Sequence, residues 1–347
     1  MKLNVALLIL SVGLRTAFGV FDGAISAPVS DAPRGSQLSL KPLRVDDTIG
    51  ALLSHPAFAG FARLLLPWDD RPYDETTSLR DIASFLPYHS HVEPGVIVSS
   101  LNRLIADVQS GKTVFYDIYS NVEKQRELSL KDTGLFLVRG NPGAPFAIVA
   151  PGGGFHYVGS VHEGFPHAVE ISKRGYNAFV LKYRAGQGGS VATRDLAAAV
   201  AYVFAHADTL DVSTHGYSLW GSSAGARMAA SIGSHGTAAF GAARLPKPSA
   251  VVIAYTGHAD IGPDEPPTFV VGGGRDSIAP PSSMERRVNR LRRAGTPVEY
   301  RTYAGLGHGF GLGVGTSAEG WIAEAIRFWT GHITSEGARD RQSRGDQ

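Results

Sequence analysis

From residue 143 onward the chain repeats one pattern, a short apolar run, a turn and a helical stretch, and nothing else in the sequence constrains the fold as strongly. Residues 147–150, 177–183, 217–220, 251–255, 268–271 and 298–303 read as strands. Between them, 166–173, 191–207 and 223–232 read as helices. Met284, Val288 and Leu291 mark the buried face of a further helix, and Ile322, Ile326 and Trp329 that of the last one. Strands alternating with helices of this length build βαβ units, so the expected class is α/β: a mostly parallel sheet with helices on both faces.

The part before residue 143 is different. Residues 48–68 are dense in apolar side chains but broken by Pro56 and Pro67, which predicts short helices. Ile97, Leu101, Leu104, Ile105 and Val108 recur at helical spacing, with Gly111 where a C-terminal cap belongs. Residues 114–119 and 134–138 look like paired antiparallel strands at a sheet edge. At the start, Lys2 precedes an apolar stretch of about a dozen residues ending at Arg15, too short for the ~20 that span a bilayer. Small residues at Ala24 and Ser26 precede Ala27, and Ala17-Phe18-Gly19 is a second candidate cleavage site. The segment 1–26 therefore reads as a signal peptide, predicting a secreted or periplasmic protein with no membrane insertion after processing. Residues 27–44 are rich in Pro, Ser and Gly, a flexible lead-in. The expected organisation is a signal peptide (1–26), lead-in and helical extension (27–110), α/β domain (111–332) and a polar, disordered tail (333–347).

Composition narrows the chemistry. The 347 residues contain no cysteine, which excludes disulfides, thiolate metal sites and a thiol nucleophile. A formal charge of +2 gives no electrostatic reason to expect nucleic acid. Of the 42 glycines, 28 fall between residues 150 and 320. Glycine permits positive-φ turns and close backbone approach, so that concentration points to the loops of one region.

Gly221-Ser222-Ser223-Ala224-Gly225 follows an expected strand and opens an expected helix. This is the context a G-x-S-x-G nucleophile elbow requires, with Ser223 at its centre. A serine hydroxyl needs a base to take its proton, and the imidazole needs a carboxylate to orient it. Asp276 lies just past the strand 268–271, and His308 just past 298–303. Both fall after the carboxyl ends of strands, where open α/β sheets place their sites. Asp260, Asp264 and His258 compete for these roles but follow the preceding strand, one unit too early. Acyl transfer also needs donors for a developing oxyanion. The backbone N–H of Ala224 is one, and Gly153 and Gly154, in Gly152-Gly153-Gly154-Phe155 after the strand 147–150, are the expected others, with Phe155 a further candidate.

Together, Pro151-Gly152-Gly153-Gly154-Phe155, the elbow, Asp276 in its loop and His308-Gly309-Phe310 resemble the α/β-hydrolase esterase and lipase families. The nearest resemblance is to bacterial acetyl and feruloyl esterase-like hydrolases, over about residues 110–332. It implies the α/β-hydrolase fold and hydrolysis of carboxylic esters through an acyl-enzyme, with no metal and no cofactor. Short acyl groups on a carbohydrate or other small polyol are the substrates it suggests. Pro151 stands where many relatives carry a histidine that supports the loop without reacting. Two rival readings are a prolyl-oligopeptidase-type serine peptidase and a catalytically silent binding protein. The first usually carries a propeller that 27–140 is too short and too helical to form; the second typically lacks a triad member.

Other groups are less specific. His89-Ser90-His91 offers two histidines without a third metal ligand at recognisable spacing, which fits loop or pocket residues better. His156, His162 and Glu163 fit pocket-lining and helix-start positions equally. Arg286, Arg287, Arg290, Arg292 and Arg293 read as the solvated face of a helix.

Overall fold

The computed structural model describes residues 40–345, with side chains through Ile333. The expected signal peptide lies outside the described residues. Eight strands form one sheet: β1 (Phe115–Tyr116), β2 (Gly134–Val138), β3 (Pro145–Ala150), β4 (Asn177–Lys182), β5 (Ser213–Ser222), β6 (Ala250–Ala254), β7 (Thr268–Gly273) and β8 (Val298–Tyr303). Their order is β1-β2-β4-β3-β5-β6-β7-β8. Strands β3 to β8 run parallel, and β2 lies antiparallel to both β1 and β4.

Each central strand is buried on both faces, which is why its sequence is a continuous apolar run. On β6, Ala250, Val252 and Ala254 enter one core while Val251 and Ile253 enter the other. Helices Gly189–Ala205, Ala224–His235 and Pro281–Arg293 cover the second face through Leu196, Met228 and Val288. Helices Phe165–Ser172 and Trp321–Gly345 cover the first, through Ile171 and Trp329. The extension packs on that first face. Its helix Pro94–Gln109 buries Ile97, Leu101, Leu104 and Ile105, four of the five positions marked by periodicity. The end of the last helix continues into the segment whose composition marks a polar tail. Among the described residues no helix is long and apolar enough to cross a membrane.

Two strands depart from expectation. The strand expected over 114–119 shrinks to Phe115–Tyr116, because Ser120 and Glu123 form a capping box that opens the helix Asn121–Arg126. Strand β5 is longer than its apolar part, since its first residues are polar and only partly buried.

Register sets the site. Ala150 stands opposite Gly221, Ser222 opposite Ala254, and Gly273 opposite Tyr303. The loops after β3, β5, β6, β7 and β8 therefore open along one edge. From β3 the chain moves to β4 on one side and later to β5 on the other, so the β3 and β5 loops part at a switch point.

Candidate active site

Ser223 caps the helix Ala224–His235 with φ 49° and ψ −113°, a conformation that L-residues rarely adopt. Its N–H donates to the Ala254 carbonyl at 2.8 Å, tying the turn to β6. Helix and strand meet closely enough that a Cβ on Gly225 would overlap the Ala150 carbonyl oxygen. The flanking glycine of the motif is therefore a steric requirement.

His308 Nε2 lies 2.8 Å from Ser223 Oγ, and His308 Nδ1 lies 2.7 Å from Asp276 Oδ2. Asp276 Oδ1 accepts from the backbone N–H of Ile278 at 2.9 Å and Ala279 at 2.7 Å, so its loop fixes the carboxylate. Asp276 and His308 are both buried. The three residues expected to act together are in hydrogen-bonding sequence, with His308 between the other two.

The glycine loop lies beside them. Gly153 has φ 133° and a Cβ there would overlap the Tyr157 carbonyl; it is buried, whereas Gly154 is exposed at the cleft. The Gly152 N–H is taken by Glu163 Oε2 at 2.6 Å. Among the described residues the N–H groups of Gly153, Gly154 and Ala224 meet no protein acceptor. Pro151 holds its place through its carbonyl, which accepts from the Tyr183 hydroxyl at 2.9 Å.

Ser223 and His308 open into a cleft of about 710 Å³ whose lining also includes Arg227, Thr256, His258 and Asp260. Burial, with the Arg287 and Arg227 guanidiniums, pushes His258 down to about 4, so it lines the cleft as a neutral imidazole at neutral pH. His258 and Asp260 thus belong to the cleft wall. They take no part in the hydrogen-bonded sequence.

The residues that sequence reasoning left open divide unexpectedly. Glu163 and His162 are buried behind the glycine loop, in the π-helical turn Ser160–Gly164, so they neither line the cleft nor start an ordinary helix. His156 is exposed beside the loop. His89 reaches inward to within 3.2 Å of Glu163 Oε2, while His91 is exposed and turned to Ser90. Burial raises the Glu163 carboxyl, but the adjacent His89, His162 and the Tyr255 hydroxyl outweigh it and hold it below the usual carboxylate range. Arg287 is a correction: it is 1 % exposed and pairs with Glu265 at 2.8 Å, off the solvated face expected for it. It also donates to the Asp260 carbonyl, pinning the loop that forms the cleft wall.

A doubly covered, largely parallel sheet with a Ser–His–Asp sequence at its switch point is the α/β-hydrolase fold carrying the triad of a serine hydrolase. The family model BD-FAE matches residues 138–245, which include the glycine loop and the elbow. Among solved structures, the chain is similar to an acetyl ester-xyloside bifunctional hydrolase from Caldicellulosiruptor lactoaceticus, at 20% identity and TM-score 0.54, covering 62% of this chain and 95% of that one. It is similar to MGS-M1, an α/β hydrolase from a Medee basin deep-sea metagenome library, at 22% identity and TM-score 0.51, over 58% and 93% of the two chains. It also resembles a sugar hydrolase from Lactococcus lactis at 19% identity and TM-score 0.51, over 58% and 95%. These likenesses lie in the fold. A search of curated protein sequences gave no significant match.

Proposed function

We propose that the protein hydrolyses short-acyl, acetyl-type esters of sugars or polyols, with Ser223, His308 and Asp276 as the catalytic triad. Ser223 Oγ attacks the ester carbonyl while His308 Nε2 takes its proton. The N–H groups of Gly153, Gly154 and Ala224 receive the oxyanion, each such donor contributing roughly 10²–10³ in rate in comparable sites. His308 then returns the proton to the leaving alcohol, giving the acyl-enzyme. Water attacks next with His308 as base, releasing the acid and restoring Ser223. Asp276 fixes the imidazole with Nδ1–H toward itself and stabilises the imidazolium.

The observation that carries this reading is the pair of 2.8 and 2.7 Å contacts on the two nitrogens of His308, opening onto a cleft. The polar part of the substrate class rests on the cleft wall, where Arg227, Thr256, His258 and Asp260 offer donors and acceptors suited to hydroxyl groups. The sugar-related names of two structural neighbours lend it support.

A panel of acetyl, butyryl and octanoyl p-nitrophenyl esters, run beside acetylated xylose and a Gly-Pro anilide, tests it. Acetyl esters and the acetylated sugar are expected to turn over fastest. Preference for octanoyl ester or for the anilide would overturn the substrate class. Export belongs to the same proposal, because the leader 1–26 precedes the hydrolase. N-terminal sequencing of the protein recovered from the periplasm or medium should begin near Ala27, and an intact Met1 there would contradict it.

A further inference from the structure

The glycine loop is held from behind by a carboxylate that takes no part in the triad. Glu163 is fully buried, and three groups able to donate meet its oxygens. Its Oε2 accepts from the Gly152 N–H at 2.6 Å, and its Oε1 accepts from the Tyr255 hydroxyl at 2.7 Å. His89 Nε2 stands 3.2 Å from Oε2. The other nitrogen of that ring, Nδ1, is 2.8 Å from the Tyr157 hydroxyl, which itself accepts from the Tyr88 N–H at 3.1 Å. The Glu163 carboxylate can only accept, so His89 Nε2 carries the proton toward it.

We infer that Glu163 is the positioning residue of the oxyanion loop and that His89, supplied by the N-terminal extension, is the partner that holds Glu163 in place. The inference rests on the ester-hydrolase reading. By consuming the Gly152 N–H, the carboxylate fixes the turn from which the Gly153 and Gly154 N–H groups face the substrate. Through Tyr255 it also reaches the base, because the Tyr255 ring packs against the His308 ring with centroids 5.1 Å apart. The extension grips the other loop as well. Ser90 Oγ donates to the His308 carbonyl at 2.7 Å, and the Ser90 N–H donates to the Gly309 carbonyl at 3.0 Å. Residues 88–90 are thus part of the catalytic unit, joining the oxyanion loop to the histidine loop.

The chemistry demands a carboxylate. An amide at position 163 would turn an NH₂ against one of three donors and leave a buried polar group unmatched. Glutamine at position 89, by contrast, keeps a donor near the place of Nε2, whereas leucine removes it.

The experiment uses the full chain and the variants Glu163→Gln, His89→Leu and His89→Gln. For each, kcat and KM are measured on p-nitrophenyl acetate, with Ki for phenylboronic acid, whose tetrahedral adduct on Ser223 needs the oxyanion donors. Glu163→Gln is expected to lower kcat by about 10²–10³, comparable to losing one oxyanion donor, with KM changed by no more than about threefold. The boronate Ki should rise with the fall in kcat. His89→Leu should show a smaller loss of the same kind, and His89→Gln should restore most of it. Ki does not depend on how much of the protein is folded, so a purely structural role would leave it unmoved. Folded variants whose kcat and Ki stay within about twofold of wild type would overturn the inference, since one lost donor is worth far more. Should Glu163→Gln fail to fold, the His89 pair decides alone: equal Ki values for leucine and glutamine would overturn it. A wild type without ester turnover would instead overturn the ester-hydrolase reading, and this inference with it.

Discussion

Asp276 Oδ2 stands 2.7 Å from His308 Nδ1 while its other oxygen is held by two backbone N–H groups, so the carboxylate can present only one face to the imidazole. Asparagine has nearly the same shape but brings a donor or a weaker acceptor to that contact, which favours the wrong tautomer. Asp276→Asn is expected to lower kcat by about 10⁴ with little change in thermal stability. Steady-state kinetics with an unfolding curve check this; activity within tenfold of wild type would count against the role of Asp276.

Ser223 occupies φ 49° and ψ −113°, a conformation that glycine adopts without a Cβ penalty. Ser223→Gly should therefore abolish turnover and raise stability by about 1 kcal/mol or more. Urea unfolding of the two proteins measures it. A destabilised Ser223→Gly would mean that the turn is not strained.

His167 illustrates the acid response of the core. Burial pushes it down to about 4, its Nε2 has no hydrogen-bond partner, and its ring lies edge-on to Trp321 at 5.4 Å. Its pKa in the folded protein lies below the unfolded value near 6.5, so the unfolded chain binds the proton first. Stability is then present above about pH 6.5 and declines by about 1.4 kcal/mol per pH unit as the pH falls toward the folded value. His162, pushed down to about 3 by burial and by neighbouring His89, adds to the same slope. Glu163, held low, contributes only through a loss that begins below its unfolded value near 4.5. Between pH 6.5 and 5, His167→Phe should lose about 2 kcal/mol less than wild type, read by urea unfolding at the two pH values. Identical losses would refute it.

Lys182, at the end of β4, is fully buried and donates to the Leu66 carbonyl at 2.9 Å and the Pro67 carbonyl at 3.2 Å, and pairs with Asp69 Oδ1 at 2.9 Å. These bonds fasten the extension to the sheet. Lys182→Met should cost about 3–5 kcal/mol, because it strands the Asp69 carboxylate. Lys182→Met combined with Asp69→Leu should recover part of that cost. A double variant no more stable than the single one would show that the carbonyl contacts, rather than the ion pair, carry the anchor.

How far such contacts can be read from sequence depends on their range. The parallel sheet was legible because β3, β4, β6 and β7 are buried on both faces and their apolar runs leave no other choice. Ser223, Asp276 and His308 were legible because each follows a strand in the order such a site needs. The pairing of Glu163 with His89 was not, since they stand 74 positions apart and no local pattern links them; only the packing of the extension on the sheet brings them together. Arg287 misled for a related reason. It lies among four exposed arginines on one helix, and its partner Glu265 comes from the loop beyond β6.

Covalent labelling of Ser223 tests the mechanism most directly. A fluorophosphonate probe followed by peptide mass mapping should modify Ser223 and no other serine, and Ser223→Ala should take up no probe and release no p-nitrophenol from p-nitrophenyl acetate. Labelling at Ser222, or turnover in folded Ser223→Ala equal to that of wild type, would contradict it.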